Sequence, residues 1–250
     1  MARPTIELQI RRQDAPSAAP RWEEFSLPYQ PGMNAISCLM EIRKRPVTKQ
    51  GQTTTPVSWD CSCLEEVCGA CTMVVNGKPR QSCTALVDDL PAGGITLEPL
   101  TKFPVVRDLI VDRQAMFDSL QKVRAWIPVD GTHDLVPGPR LAADGAAQAY
   151  EFARCMTCGC CMEACPQFNE RSDFIGPAPL AQVRLFNAHP TGAMNAYERL
   201  EAIMGDGGLQ DCGNAQNCVE VCPKEIPLTE AFGELGRQTL AQGLRNLFGR

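Results

Sequence analysis

Two short cysteine-rich segments constrain this chain more than any other part of its sequence. The first has the spacing C-x2-C-x2-C-x3-C-P, with its members at Cys155, Cys158, Cys161, Cys165 and Pro166. The second repeats this spacing further along the chain, with its members at Cys212, Ala215, Cys218, Cys222 and Pro223. In chains that hold two cubic iron–sulfur clusters, the first three cysteines of such a run bind one cluster and the fourth binds the other. The two segments therefore predict a pair of neighbouring clusters.

The second run lacks one ligand, and this deficit decides the types of cluster that we expect. The crossing rule assigns one complete set of ligands, a [4Fe-4S] centre at Cys155, Cys158, Cys161 and Cys222. It leaves Cys165, Cys212 and Cys218 for the second cluster, because the methyl group of Ala215 cannot bind iron. A cube without a ligand at one corner tends to lose that iron. The second cluster is therefore expected to be a [3Fe-4S] centre.

An alternative interpretation of both runs is a pair of zinc sites, because C-x2-C is also a common zinc spacing. Structural zinc sites usually take four ligands from two separated pairs. Here three or four cysteines are crowded into eleven residues, twice, and a proline follows each run. This arrangement favours iron–sulfur clusters over zinc.

The composition fits a protein that binds metal through its thiols in a reducing compartment. Fourteen cysteines among 250 residues fall below the roughly 8–10% that marks a disulfide scaffold, and cytoplasmic thiols are kept reduced. No apolar run approaches the ~18 residues of a membrane span, and the N-terminus has no apolar signal-peptide core. The net charge of -5 gives no indication of nucleic-acid binding. We expect a cytoplasmic protein with two domains of ordinary size.

A third group of cysteines predicts a [2Fe-2S] centre in the N-terminal half. Four residues separate Cys63 from Cys68 and two separate Cys68 from Cys71, which is the plant-type spacing, and Cys83 supplies the fourth thiolate. Cys61 is the rival first ligand, but six residues separate it from Cys68, so we expect a free thiol there. Neither histidine, His133 or His189, lies near a cysteine in the sequence, which argues against a Rieske centre with its two histidine ligands.

The pattern around this group predicts a small mixed sheet of β-grasp type. Alternating apolar residues predict a strand at Ile6–Ile10, and further strands are expected at Glu24–Tyr29 and Ile95–Leu100. Asn34 is a good N-cap for a helix that Pro46 stops. A hairpin is expected to turn at Asn76 and Gly77 after the metal loop.

From about Val106 the apolar spacing becomes helical. It predicts a helix through Leu109 and Ile110 that ends near Pro128, an irregular connection over 128–145, and further helices before Cys155, at Leu180–Ala188, at Ala193–Met204 and at Pro227–Phe248. The fold class is therefore α+β. We place a β-grasp [2Fe-2S] domain at residues 1–105 and an α-helical domain with the [4Fe-4S] and [3Fe-4S] clusters at residues 106–250. Cys38, inside the first helix, and Cys160, off the spacing of its run, are not expected to be ligands.

With its three cysteine groups in this order, the chain resembles the iron–sulfur subunits of succinate dehydrogenases and fumarate reductases over nearly its whole length. The segment FIGPAPLAQVRLF at Phe174–Phe186 is also similar to that family. The resemblance implies a plant-ferredoxin-like domain followed by a helical ferredoxin domain. It further implies a subunit that carries single electrons from an FAD-containing flavoprotein to a quinone at a membrane anchor with haem b, on the cytoplasmic face of the inner membrane.

Details of the motifs resemble the branch that reduces menaquinone through a haem-bearing anchor. These details are Glu66 within CLEEVCGAC and the segments MTCGCCMEACP and NAHPTGAMN. Ubiquinone-reducing members have a tryptophan and a histidine in the quinone pocket, where this chain has Asn169 or Glu170, and Gly213. The resemblance therefore carries over only Pro166 as a possible quinone contact.

Three kinds of function remain to be compared. An electron-transfer subunit of succinate dehydrogenase needs no catalytic residue on this chain, and the same subunit working in the fumarate reductase direction is the alternative. A hydro-lyase would use the open iron corner at Ala215 as a Lewis acid, but two further centres would then have no purpose. A free soluble ferredoxin would leave about half of the chain without a role. The number of centres favours the electron-transfer subunit.

Overall fold

The computed structural model describes residues 5–128 and 140–249, and within them the chain forms two compact units. The N-terminal unit comprises the residues up to Arg113 together with the returning segment Met156–Glu163, and the C-terminal unit comprises Gln114–Cys155 together with the residues from Ala164 onwards. Most of the irregular connection expected at 128–145 lies outside the described residues. The domain boundary between residues 105 and 106 stays a prediction.

The N-terminal unit is built on a mixed sheet of five strands. These are β1 (Thr5–Arg12), β2 (Arg21–Pro28), β3 (Thr72–Val75), β4 (Lys78–Gln81) and β5 (Ile95–Glu98), in the order β2-β1-β5-β3-β4. Only β1 and β5 are parallel, and the other neighbours are antiparallel. The hairpin between β3 and β4 turns at Asn76 and Gly77, both with positive φ, as the sequence predicts. The expected β-grasp sheet is therefore present.

The sheet and helix α1 (Ala35–Lys44) share one apolar core. Strand β1 alternates so that Ile6, Leu8 and Ile10 are buried, and α1 contributes further buried residues such as Leu39. Asn34 caps α1 by accepting a hydrogen bond from the Ser37 N–H at 2.8 Å. The next inward position of β1 is a charged residue, Arg12, which is also fully buried.

The helix expected through Leu109 and Ile110 is wrong. Residues there form a hairpin of β6 (Val105–Arg107) and β7 (Ile110–Val111), and the helix begins only at Gln114. Asp108 sits at the turn with φ 47° and is fully buried. Its carboxylate accepts hydrogen bonds from Arg12 Nε at 2.9 Å and from the Ser58 N–H at 2.9 Å. This buried ion pair, between residues far apart in the sequence, overrides the local helical pattern.

The C-terminal unit is helical. The helices after α1 are α2 (Gln114–Lys122), α3 (Ala143–Ala153), α4 (Cys160–Ala164), α5 (Pro177–Ala188), α6 (Pro190–Ala193), α7 (Ala196–Met204), α8 (Asn217–Glu220) and α9 (Leu228–Leu247), and most of α4 belongs to the returning segment. The helix expected at Ala193–Met204 is present as α7, which begins three residues later, and a break separates it from the short helix α6 that precedes it. Buried Arg199 of α7 explains the break, because its guanidinium donates to the Gly192 carbonyl and, at 3.2 Å, to Asn195 Oδ1. None of the helices in the described part of the chain is long and apolar enough to cross a membrane.

Candidate iron–sulfur sites

The metal loop, residues 63–71, wraps its backbone around the sulfur of Cys63. Cys63 Sγ accepts hydrogen bonds from the N–H groups of Glu65, Val67 and Cys68 at 3.4, 3.3 and 3.3 Å. Leu64 and Glu66 have positive φ values of 60° and 55°, which turn the chain tightly enough to aim these groups at one atom. The hydrogen bonds, with that of Glu65 first, lower the pKa of Cys63 to about 7. The loop therefore favours a thiolate at this position.

The four predicted [2Fe-2S] ligands form two pairs, Cys63 with Cys68 and Cys71 with Cys83. Cys68 hydrogen-bonds to Cys63, and its own sulfur accepts from the Ala70 N–H at 3.4 Å. Cys71 and Cys83 are both buried and interact through their sulfurs. Burial first, and the neighbouring Cys83 sulfur with it, raises the pKa of Cys71 to about 12. Cys61 is exposed, and its role stays as predicted from the spacing alone.

Two further observations show that this part of the N-terminal unit suits a [2Fe-2S] cluster. Gly69 has φ 72°, and a Cβ there would lie 2.9 Å from the Met156 carbonyl oxygen and 3.0 Å from Cys158 Cα, so only glycine fits. Ser82, next to Cys83, is fully buried, and its hydroxyl has no hydrogen-bond partner within the described residues. A buried hydroxyl without a partner beside a thiol is ready to donate to a sulfur of a bound cluster.

The returning segment brings Cys158 and Cys161 into the N-terminal unit. A hydrogen bond from Cys160 is the main cause that lowers the pKa of Cys158 to about 7, while the same bond raises the pKa of Cys160. Cys160 is fully buried, and its assignment as a non-ligand stays a prediction. The remaining predicted [4Fe-4S] cysteines, Cys155 and Cys222, belong to the C-terminal unit, where Cys222 Sγ accepts from the Ile226 N–H at 3.5 Å. The joint assignment of these four stays a prediction.

The three cysteines predicted for the [3Fe-4S] centre meet in the C-terminal unit. Cys165, Cys212 and Cys218 line one small cavity, and Ala215 lines it with them. Burial first, and the neighbouring sulfurs of Cys165 and Cys212 with it, raise the pKa of Cys218 to about 11. We call the space lined by these three cysteines and Ala215 the C-terminal cavity. The methyl group thus faces the same space as the three thiols, as the run with its missing cysteine predicts.

The positions associated with quinone lie beside this cavity. Pro166 lines it and is exposed, and its carbonyl accepts from Asn169 Nδ2 at 2.8 Å. Gly213 lies under the side chain of Gln167, so that a Cβ at 213 would collide with the amide. Glycine at 213 therefore leaves room for Gln167, which also lines the cavity. Glu170 is exposed, and no described contact assigns it a role.

Residues outside the three cysteine groups also shape these sites, and the sequence does not reveal them. Gln81 is fully buried beside Cys71, and Arg113 donates to the carbonyl oxygens of Gly69 and Ala70 at 2.9 and 3.2 Å. The one signal in the sequence that could have revealed Gln81 is its position, because it is a polar residue two places before Cys83 on an inward face of the hairpin. Cys38 is buried in the apolar core, and the pKa of its thiol is raised by burial to about 12. His189 caps α6 through Nδ1, while His133 lies outside the described residues.

No three cysteine, histidine or carboxylate side chains in residues 5–128 and 140–249 surround a point suited to a single metal ion. Cluster ligands bind different iron atoms, so they are spaced more widely than the ligands of one ion.

Comparison with known proteins agrees with these sites. Residues 7–118 match the family described as a 2Fe-2S iron–sulfur cluster binding domain, and residues 151–226 match the family described as a 4Fe-4S dicluster domain. These matches confirm the predicted kinds of domain and favour iron–sulfur centres over the zinc alternative. In fold, the chain is similar to a chain of the Mycobacterium smegmatis Sdh1 complex in the apo form, with a TM-score of 0.82, 22% identity and coverage of 96% and 98% of the two chains.

Full-length relatives decide the family. The chain is 62% identical to the succinate dehydrogenase iron–sulfur subunit of Bacillus subtilis (strain 168) over 245 residues, which cover 98% of this chain and 96% of the relative. It is 32% identical to the fumarate reductase iron–sulfur subunit of Wolinella succinogenes over 241 residues, with coverage of 94% and 98%. The chain therefore belongs to the family of iron–sulfur subunits of succinate dehydrogenases and fumarate reductases, whose function is electron transfer within the enzyme complex.

Proposed function

We propose that this chain passes single electrons from an FAD-containing flavoprotein subunit, where succinate is oxidised, to a membrane quinone. The observation that carries the proposal is the meeting of Cys165, Cys212 and Cys218 with Ala215 in one cavity, in a chain that has two further predicted sets of cluster ligands. Several centres in one chain serve electron transfer, whereas a hydro-lyase would need only the one open iron corner. Succinate oxidation is proposed because the 62% identical relative is a succinate dehydrogenase subunit. Work in the fumarate reductase direction remains the alternative, supported by the relative at 32% identity.

Eleven cysteines are proposed as ligands. When bound, the clusters supply one-electron chemistry, at potentials that the protein sets through charge, hydrogen bonds and exposure. The proposed sets are Cys63, Cys68, Cys71 and Cys83 for [2Fe-2S], Cys155, Cys158, Cys161 and Cys222 for [4Fe-4S], and Cys165, Cys212 and Cys218 for [3Fe-4S]. The chain's own contribution is to hold these thiolates and to aim N–H groups at sulfurs such as those of Cys63 and Cys222.

The partners and location follow from this role. The chain is proposed to lie at the cytoplasmic face of the inner membrane, held there by a flavoprotein and by anchor subunits with haem b. The absence of tryptophan and histidine at 169, 170 and 213 supports menaquinone as the acceptor, since those residues belong to the ubiquinone pocket of the family. Pro166 is the one proposed quinone contact. The proposed domains remain 1–105 and 106–250.

A quinone pocket built mostly by anchor subunits is consistent with the residues around Pro166. Exposed Asn169 and Glu170, and a glycine at 213, offer little aromatic surface on which a quinone ring could stack. We expect the separated chain not to bind quinone, and substitution of Phe168 or Glu170 to change quinone reduction only modestly. Tight binding of quinone to the separated chain would contradict this part of the proposal.

The test of the function uses the complex extracted from native membranes with a mild detergent. We expect the chain to co-migrate with a flavoprotein, succinate to reduce its [2Fe-2S] centre, and analysis to find about nine non-haem iron atoms per chain, the sum of two, four and three. The oxidised sample should show a [3Fe-4S] electron paramagnetic resonance (EPR) signal. Migration without a flavoprotein would instead favour a soluble ferredoxin or a hydro-lyase. About ten non-haem iron atoms without a [3Fe-4S] signal would overturn the cluster assignment.

A further inference from the structure

A buried amide connects the metal loop to the returning segment. Gln81 has no exposed surface, and Cys71 donates to its Oε1 at 3.5 Å. Its Nε2 donates to Thr72 Oγ1 at 2.6 Å and to Cys160 Sγ at 3.8 Å. Because burying an amide is costly unless it is hydrogen-bonded, these contacts define a specific polar site within an otherwise apolar layer.

The direction of the contact with Cys71 depends on whether that cysteine binds iron. A free thiol carries a hydrogen and can donate it to Oε1. A cysteine that ligates iron is a thiolate, which has no hydrogen and only accepts. An oxygen facing this sulfur would then be repulsive. The amide of Gln81 must therefore turn over and present Nε2 to Cys71.

The neighbours of Gln81 can satisfy the turned amide completely. Thr72 Oγ1 now donates to the Gly69 carbonyl oxygen at 2.9 Å, and this hydrogen can instead be given to Oε1 of the turned amide. The Gly69 carbonyl is not left without a donor, because Arg113 Nη1 also donates to it at 2.9 Å. No buried group loses its last hydrogen bond in the exchange.

We propose that Gln81 is a positioning residue that donates an Nε2–H hydrogen bond to the Cys71 thiolate and thereby raises the reduction potential of the [2Fe-2S] centre. The hydrogen bond stabilises negative charge on the sulfur, and the reduced state carries one more negative charge than the oxidised state. The inference rests on the proposed assignment of Cys71 as a ligand.

The turned amide also changes the partner available to Cys160. It places Oε1, an acceptor, where Nε2 now donates to Cys160 Sγ. The single hydrogen of Cys160 is shared between this oxygen and Cys158, a predicted ligand of the next centre. Gln81 is thus in contact with one predicted ligand, Cys71, and with the hydrogen-bond donor of another.

The test compares Gln81→Met in the whole complex with the same substitution at Gln242. Methionine keeps the length and volume of glutamine but cannot donate a hydrogen bond. Gln242 is a buried, hydrogen-bonded amide on α9 and serves as the matched control. In Gln81→Met we expect the equilibrium constant for reduction of the [2Fe-2S] centre to fall about tenfold, which lowers its reduction potential by about 59 mV for one electron. An EPR redox titration measures it, and an unchanged potential, or an equal change in Gln242→Met, would overturn the proposal.

A second measurement needs no variant to fold. Pulsed EPR on the reduced wild-type complex, labelled with ¹⁵N in the glutamine side-chain amides, should detect a coupled ¹⁵N nucleus at the [2Fe-2S] centre. A labelled sample without this coupling would overturn the role of Gln81. A wild-type complex with no [2Fe-2S] signal would instead count against the proposed function, so the two failures are distinguishable.

Discussion

The exposed part of the metal loop, at Cys63 and Cys68, and the C-terminal cavity hold their thiols by opposite means. In the metal loop, Cys68 is exposed and Cys63 is half-buried. The sulfur of Cys63 accepts hydrogen bonds from three backbone N–H groups. In the C-terminal cavity, Cys165 and Cys218 are buried. The pKa of Cys63 is lowered to about 7 by its hydrogen bonds, whereas the pKa of Cys218 is raised to about 11, mainly by burial.

This difference shows that two sites for similar clusters can be prepared by different physical means. The loop stabilises a thiolate through backbone dipoles before any metal is present. In the cavity, burial and the like charges of neighbouring sulfurs disfavour thiolates, so bound iron must supply the compensating positive charge. We therefore expect substitutions in the cavity to affect the whole centre and substitutions around the loop to act locally.

The largest effect is expected for Cys218→Ala. With two thiolates left in the cavity, the third centre should be lost, and non-haem iron should fall from about nine to about six atoms per chain. The control is Cys38→Ala, which removes a buried thiol of the apolar core and should keep all of the iron. Retention of the [3Fe-4S] signal in Cys218→Ala would show that the centre in the C-terminal cavity does not depend on all three thiols, which contradicts the comparison.

The metal loop is tested by the neighbouring pair Cys63→Ser and Cys61→Ser. Only Cys63 has the four-residue spacing to Cys68 and the three N–H donors, so Cys63→Ser should disturb the EPR spectrum of the reduced [2Fe-2S] centre. Cys61 is exposed, and Cys61→Ser should leave the spectrum unchanged. The reverse result would mean that the loop binds its cluster in a different register.

The buried support of the loop is tested by Asp108→Ala. This change removes one of the two carboxylates that pair with the fully buried Arg12, leaving Glu23, and it removes the acceptor for the Ser58 N–H, which lies ahead of the metal loop. Leaving these buried donors without their acceptor should lower the free energy of unfolding by about 1–3 kcal/mol. Glu98→Ala is the control, because its pair with Arg11 is partly exposed and should contribute about 0–1 kcal/mol. Urea titrations measure the free energy of unfolding of both variants. Equal losses would show that buried Asp108 stabilises the protein no more than partly exposed Glu98 does.

The smallest effect is expected for Ala215→Cys, which adds a fourth thiol to the C-terminal cavity. We expect one further iron atom and a lower reduction potential of that centre, because the added thiolate increases its negative charge. The control is Ala193→Cys at an exposed position of α6. An unchanged EPR spectrum and iron content in Ala215→Cys would indicate that the residue does not face a vacant iron corner.

The sequence predicts what depends on local spacing. The cysteine runs, the cap at Asn34 and the turn at Asn76 and Gly77 are encoded within a few residues each, and the cap and the turn are present as expected. The three cysteines around the C-terminal cavity were also predicted, because a missing ligand is visible as Ala215.

Features that depend on distant partners could not be predicted. Leu109 and Ile110 fit a helical spacing, but Asp108 is held at the turn of a hairpin by Arg12, 96 residues earlier. Gln81 is recognisable only once β4 is paired with β3, which places it opposite Thr72. In both cases a buried polar group decides the local structure, and its partner comes from a different part of the chain.

The returning segment has a consequence for the order in which the chain can assemble during synthesis. Met156–Glu163 belongs to the N-terminal unit, where Cys158 packs against Gly69 and the Glu163 carboxylate accepts from the N–H groups of Thr101 and Lys102 at 2.9 and 3.1 Å. A nascent chain that ends at Arg113 lacks all of these contacts. The N-terminal unit therefore cannot be completed until the ribosome has passed residue 163, and a fragment meant to represent this unit must carry that segment as a graft.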